Sequence, residues 1–203
     1  MLLLQRLSCL EVVIMVRLVS VVGTRYGSFS PGLVSRVVFW FASRGWSVAT
    51  GGALGVDFHV LSALLLTGLG RLGVVFAPWF SLAGFPVSVR PLISALLSAG
   101  GCVVWGLASP GASRRVVLNA LFSRSSALVR ASRLVVVFLS SASGGSWFCV
   151  REAVRLGRRV VVFSSAGCPP ALPGGRWVVL RRGVLADGWL WVNSQSSLFV
   201  KKI

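Results

Sequence analysis

A chain of 203 residues, 55% hydrophobic and 12% charged, has the size of one ordinary domain, can bury a core, and is not a disordered polymer. Its formal net charge of +17 comes almost wholly from arginine, since Lys201 and Lys202 are the only lysines, and it calls for a polyanionic partner, either nucleic acid or an anionic membrane surface. The same bias would arise from a coding strand poor in adenine, because Lys, Asn, Asp, Glu, Gln, Ile and Met are all scarce beside Val, Leu, Gly, Ser, Arg and Trp.

The opening "MLLLQRLSCLEVVIMVRL" is broken by Arg6 and Glu11, which spoils it as a signal peptide; residues 1–16 read as an extension ahead of a domain. Short β-branched runs then alternate with helical spacing. "RLVSVVG" (Arg17 to Gly23) is a strand; Ser30 is placed to cap a helix from Pro31 to Arg44 with Leu33, Val37, Val38, Trp40 and Phe41 on its apolar face. "GWSVAT" (Gly45 to Thr50) precedes a helix over Val56 to Leu66, and "LGVVFAP" (Leu72 to Pro78) precedes one over Pro91 to Ser98. "GCVVWG" (Gly101 to Gly106) leads to a helix over Val116 to Arg130, and "LVVVFLS" (Leu134 to Ser140) to one over Trp147 to Leu156. "RVVVFSS" (Arg159 to Ser165) is the last of the six runs.

Leu72 to Val89 and Pro91 to Ser113 carry no charge and are long enough to cross a bilayer. Their prolines and glycines (Pro78, Pro86, Gly106, Pro110) fall where strands and helices should end, and strands buried on both faces also read as continuous apolar runs, so no membrane span is expected. The alternation predicts an α/β domain over residues 17–165, an open, mostly parallel sheet with helices on both faces. Residues 166–203 form a tail: "GCPPALPGGRW" as a loop, then "WVVL" and "WLWVNS" as a β-hairpin. Cys9, Cys102, Cys149 and Cys168 are far apart and show neither a disulfide framework nor zinc spacing, which points to a reducing, intracellular setting, cytoplasm or organelle interior, with no metal and no cofactor.

Ligands of open α/β sheets sit beyond the carboxyl ends of the strands, where glycine turns let backbone amides approach a phosphate. Three turns qualify. In "VVGTRYGSFSPG", Gly23 allows a tight turn and Thr24 and Arg25 offer a hydroxyl and a guanidinium. In "VATGGALGVDFH", Gly51, Gly52 and Gly55 lead into a helix, with Asp57 placed either to cap its orphan N–H groups or to meet a ligand. In "SSASGGSWFCVREA", Ser143, Gly144, Gly145 and Ser146 open a helix and form an anion seat.

These turns, in this order, resemble the SMF/DprA and LOG (SLOG) superfamily of Rossmann-like proteins, nearest the DNA-processing protein A (DprA) branch, over Leu18 to Ser164. Members of that superfamily carry a V-G-S-R turn, an S-G-G-A-x-G-x-D turn and an R-N segment before "lvvv"; here these are "VVGTR", "GGALGVD" and Arg124-Ser125. The resemblance implies a Rossmann-like fold, single-stranded DNA as partner, DNA processing and recombination, a recombinase as protein partner and a homodimer. It places the binding site at Gly23, Thr24, Arg25, Gly51, Gly52, Gly55, Asp57, Arg124, Ser143, Gly144, Gly145 and Ser146. Surface arginines such as Arg114, Arg115, Arg151, Arg158 and Arg159 would add affinity for the strand. The departures are Leu54, where DprA carries arginine, a serine for the asparagine of R-N, His59 out of register with the family histidine, and no winged-helix domain expected after the tail.

LOG-type hydrolases carry P-G-G-x-G-T-x-x-E. Setting Gly145-Ser146 on the Gly-Thr places Cys149 at the catalytic glutamate, with Glu152 a turn further and too deep, so hydrolysis is not expected. Two other readings stand beside DNA binding: a nucleotide sensor or remnant hydrolase, and a structural component of a ribonucleoprotein or membrane assembly. A steep loss of affinity with salt separates a polymer ligand from one nucleotide.

Overall fold

A computed structural model describes residues 17–26, 29–140 and 144–194, so the extension 1–16 and the end of the tail lie outside the described residues. The elements in chain order are β1 (Leu18–Gly23), α1 (Pro31–Ala42), β2 (Ser47–Thr50), α2 (Val56–Leu66), β3 (Gly73–Phe76) and α3 (Arg90–Ser98). They continue as β4 (Cys102–Val104), α4 (Arg114–Ala131), β5 (Leu134–Leu139), α5 (Gly144–Arg155), β6 (Arg159–Ser164), β7 (Gly175–Val179) and β8 (Trp189–Asn193). One sheet holds all eight strands in the order β4-β3-β2-β1-β5-β6-β8-β7. The first six are parallel, while β8 runs antiparallel to β6 and β7 antiparallel to β8.

The apolar strand runs divide at period two between the faces of the sheet. Val19, Val21, Val48, Val136, Phe138 and Val161 face α1 and α2, whereas Leu18, Val22, Ala49, Val135, Val137 and Val160 face α4 and α5. A third cluster joins Leu61 and Val75 to Ile93 and Leu96 of α3. Each Val, Leu, Ile or Phe among them, fully buried, contributes about 1.5–3 kcal/mol, which is why both faces must be covered. Ser20, the polar residue in β1, is buried; its hydroxyl bonds that of Ser132, which itself donates to the Leu128 carbonyl at 2.8 Å and so fastens the end of α4 to β1.

The six expected strands are all present, and the tail hairpin forms as β7 and β8, added to the same sheet through β8 and β6. Ser30 caps α1 as expected, its Oγ accepting from the Gly32 N–H at 3.2 Å with Pro31 in the first turn. Helix α5 starts at Gly144 rather than Trp147, because the first-turn N–H groups have no intrahelical partner and glycine there costs little. Cys149 and Cys168 carry free thiols, but Cys102 at the head of β4 is disulfide-bonded, against the expectation from cysteine spacing, which says nothing of tertiary proximity. Among the described residues, no helix is long and apolar enough to cross a membrane.

Candidate functional site

Strands β1 and β5 are neighbours, yet the chain leaves β1 toward β2 and leaves β5 toward β6. Their connections diverge, and a crevice opens outside their carboxyl ends, the switch point at which open α/β sheets bind ligands. A cavity of about 360 Å³ lies there. Its walls include Gly23, Thr24 and Arg25 after β1, Asp57 of α2, Arg124 of α4, and Gly144, Gly145 and Ser146 at the start of α5. Ser143 lies outside the described residues.

The turn after β1 is knitted rather than open. The Thr24 N–H donates to the Phe138 carbonyl at 3.0 Å, its hydroxyl donates to the Tyr26 carbonyl at 2.7 Å, and Ser140 Oγ donates back to that hydroxyl at 3.0 Å. Thr24 therefore ties the β1 and β5 turns together, while Arg25 beyond it is exposed at the rim of the crevice. Gly23 lies flush against Phe138 and Val56, leaving no room for a Cβ.

Gly51, Gly52 and Gly55 do not line the cavity; they form the floor that holds its charged groups. A Cβ on Gly51 would fall on Arg124 Nη1 and close to Asp57 Oδ2, so the bare glycine lets both side chains converge. Gly55 has φ +73°, and a Cβ there would strike the carbonyls of Thr24 and Arg25, so this backbone contact binds the second turn to the first. Gly52 has φ +67° and packs on Phe85, and Leu54 packs against the α3 cluster.

Of the two roles open to Asp57 in the sequence, the cap of α2 is not made: the N-cap is Gly55 and has no side-chain cap bond, while Asp57 lines the cavity. Side chains of a first helical turn lean back toward the N-terminus, and Asp57 Oδ2 accepts from the Ala53 N–H of the preceding turn at 3.1 Å. Its Oδ1 is enclosed without a partner, as is Nε of the half-buried Arg124. Burial pushes the Asp57 carboxyl above its ordinary value, opposed by the Arg124 charge and the Ala53 N–H. Burial likewise lowers the Arg124 guanidinium, opposed by Asp57. The two groups face each other across Gly51 without a salt bridge; the one salt bridge among the described residues joins Arg155 to Glu152 at 2.7 Å.

Cys149 forms part of the inner wall, and burial pushes its thiol up to about 11 even with Arg124 near, so it is a neutral thiol at physiological pH. Glu152 does not line the cavity and is held by Arg155 through two hydrogen bonds, of 2.7 and 2.9 Å. The aromatic and apolar wall was missed from sequence: Tyr26, Leu118, Leu121 and Phe122 line the mouth, with Tyr26 79% and Phe122 46% exposed. Leu118, Leu121, Phe122 and Ser125 recur at helical spacing on either side of Arg124, and that stripe was the available signal. Two of the surface arginines expected to add affinity for the strand, Arg158 and Arg159, lie at the opposite, amino-terminal end of the sheet, where β6 begins.

Fold and crevice together define a Rossmann-like α/β protein with its candidate site at the switch point. Residues 10–179 match the family described as DNA recombination-mediator protein A, and the chain belongs to that family. Among solved structures, DNA processing protein A from Helicobacter pylori, described for its single-stranded DNA binding mode, is similar with a TM-score of 0.59 and 18% identity, over 79% of this chain and 69% of that one. DprA from Streptococcus pneumoniae gives a TM-score of 0.58 and 21% identity, over 79% of this chain and 53% of that one, so this chain spans about half its length. A molybdenum cofactor binding protein from Rippkaea orientalis gives 0.53 and 17%, over 75% and 78% of the two chains. These likenesses carry the fold. Comparison with curated proteins gives no match.

Proposed function

We propose that this protein binds single-stranded DNA through phosphates in the switch-point crevice and serves DNA processing or recombination, with a recombinase and a second copy of the chain as the protein partners to test. The observation that carries this reading is the convergence, on Gly51, of a half-buried arginine with an enclosed, unpartnered Nε and a carboxylate that orients the turn, all beside Arg25 and the start of α5. Membership of the family supports it. A half-buried guanidinium whose enclosed Nε has no hydrogen-bond partner favours an anion, and Tyr26 and Phe122 at the mouth offer faces on which unpaired bases stack. The reading is of binding, not hydrolysis: a neutral Cys149 thiol stands where the LOG pattern carries its glutamate.

The test is binding of a labelled strand of about twenty bases, beside duplex DNA and single-stranded RNA, across a salt series. The expected result is a preference for single-stranded DNA and, in an Arg25→Ala, Arg124→Ala variant, a log–log salt slope shallower by about 1.4, two contacts at roughly 0.7 each. Equal binding of all three polymers, unchanged in the variant, would sink the proposal. A second reading, a free nucleotide in the crevice, is favoured by a cavity of about 360 Å³, within the size range of small-molecule sites. It predicts a shallow salt dependence and competition by a mononucleotide.

A further inference from the structure

At the end of the sheet opposite the crevice, an arginine stands ahead of nearly every parallel strand. In the spatial order of the strands, Arg71 precedes β3, Arg44 precedes β2, Arg17 precedes β1, Arg133 precedes β5, and Arg158 and Arg159 stand at the start of β6. All six are exposed. Register holds the row together: the Arg133 N–H donates to the Leu18 carbonyl at 2.9 Å, the Ser47 N–H to the Arg17 carbonyl at 3.0 Å, and Leu134 pairs with Arg159.

Part of this charge has a structural role. Arg44 donates to the Trp40 carbonyl at 3.0 Å and lies over the Trp40 ring, and Arg158 donates to the Arg130 carbonyl at 2.8 Å, so both satisfy carbonyls at helix ends. Arg17, Arg71, Arg133 and Arg159 have no such explanation: among the described residues their side chains make no hydrogen bond or ion pair. Of the described acidic residues, Asp57 is under the crevice, Asp187 is in the β7–β8 turn, and Glu152 is already taken by Arg155.

We propose that this amino-terminal rim is a second phosphate-binding surface, which holds a nucleic-acid strand separate from the one in the crevice. The inference rests on the single-strand reading of the crevice. Adjacent strands are about 4.8 Å apart, so a row from β3 to β6 extends about 19 Å, which matches the form of a linear polyanion better than that of a small anion. Guanidinium forks suit phosphate oxygens and keep their charge at every physiological pH. A six-residue strand such as β1 puts the rim about 20 Å from the crevice, at the other pole of the molecule. A strand seated at one pole leaves the other pole free for a second, so one copy of the protein brings two strands together.

The test uses the full chain with two oligothymidylates of about twenty nucleotides, one carrying a donor dye and one an acceptor, which cannot pair with each other. The wild type is expected to give energy transfer at equimolar protein and strand. An Arg17→Glu, Arg133→Glu, Arg159→Glu variant needs about tenfold more protein, or more, for the same transfer, while its crevice affinity stays within about twofold. A variant of equal net charge, Arg36→Glu, Arg181→Glu, Arg182→Glu, with all three positions exposed, keeps the transfer. Melting curves check that each variant folds, and the matching glutamine triple replaces any that does not.

Transfer that survives in the rim variant comes from two copies each holding one strand and overturns the proposal. Equal loss in the equal-charge variant reduces it to bulk attraction and overturns it as well. If the rim variant loses binding to phosphatidylserine vesicles but keeps the transfer, the rim is a lipid surface and the proposal fails. A crevice variant, Arg25→Ala with Arg124→Ala, that binds its first strand like the wild type, while the rim variant binds none, removes the crevice reading and leaves the rim as the binding surface.

Discussion

Cys149 stands in the crevice wall, and its environment decides what it can do there. Burial raises the thiol to about 11, so at pH 8 its thiolate fraction is about a hundredfold below that of a thiol near 9. In the native protein, iodoacetamide at pH 8 is expected to label the exposed Cys168 and to spare Cys149 until the chain is unfolded, with modification of Cys149 accelerating as pH rises toward 11; peptide mass spectrometry reads both sites. Equal labelling of the two would show that the wall is open. Gly51 makes the complementary case. Alanine there displaces the Arg124 guanidinium, the far end of a flexible side chain, so the fold should survive while single-strand affinity falls about tenfold, as in Arg124→Ala. An alanine variant that binds normally would mean that Arg124 does not hold the ligand from this position. Arg124 came to notice in the sequence only through the family resemblance, whereas the glycines stand out because a tight strand-to-helix turn favours them. What Asp57 bonds was not legible there, because the choice between its own helix and the Ala53 N–H depends on how far the side chain leans back over the turn.

Strands β1 to β6 were readable because a run of β-branched residues bounded by glycine, serine or proline has one economical use, a strand covered on both faces. Helix ends were less so: α4 starts at Arg114 and α5 at Gly144, both ahead of the first apolar residue, since the first turn of a helix needs solvent or a ligand and not a core. The same property leaves Val116, Leu118 and Phe122 exposed in the first half of α4, Leu118 and Phe122 of them at the crevice. The turn from β2 to α2 is the element on which the site depends most. Gly55 takes φ +73° with its Cα against the Thr24 and Arg25 carbonyls, so Gly55→Ala meets both left-handed strain and backbone that cannot retreat. It is expected to destabilise the protein by more than about 1 kcal/mol in urea unfolding, unlike Gly145→Ala, whose added methyl meets open space. Similar losses at both positions would mean that the two turns are not in contact.

At the scale of the whole molecule the dominant quantity is charge. A formal +17 with four acidic residues makes the free protein repel itself, and the same charge attracts phosphate. Added sodium chloride should therefore act with opposite signs on two measurements: raising it from about 50 to about 500 mM lifts the melting temperature of the free protein and lowers its affinity for single-stranded DNA. A melting temperature that falls with salt would show that the arginines are already neutralised within the fold. Sequence by itself determined the strand and helix alternation, the mostly parallel sheet, a hairpin in the tail, the family and the glycine turns, because each is written in neighbouring residues. Tertiary structure alone decided which charges meet. It joined Arg124 to Asp57 across Gly51, brought Tyr26 and Phe122 to one mouth, bonded Cys102, and sent Arg158 and Arg159 to the pole opposite the crevice. Such pairings depend on strand order and register, which bring together residues distant in the chain, and no local pattern of residue types records them.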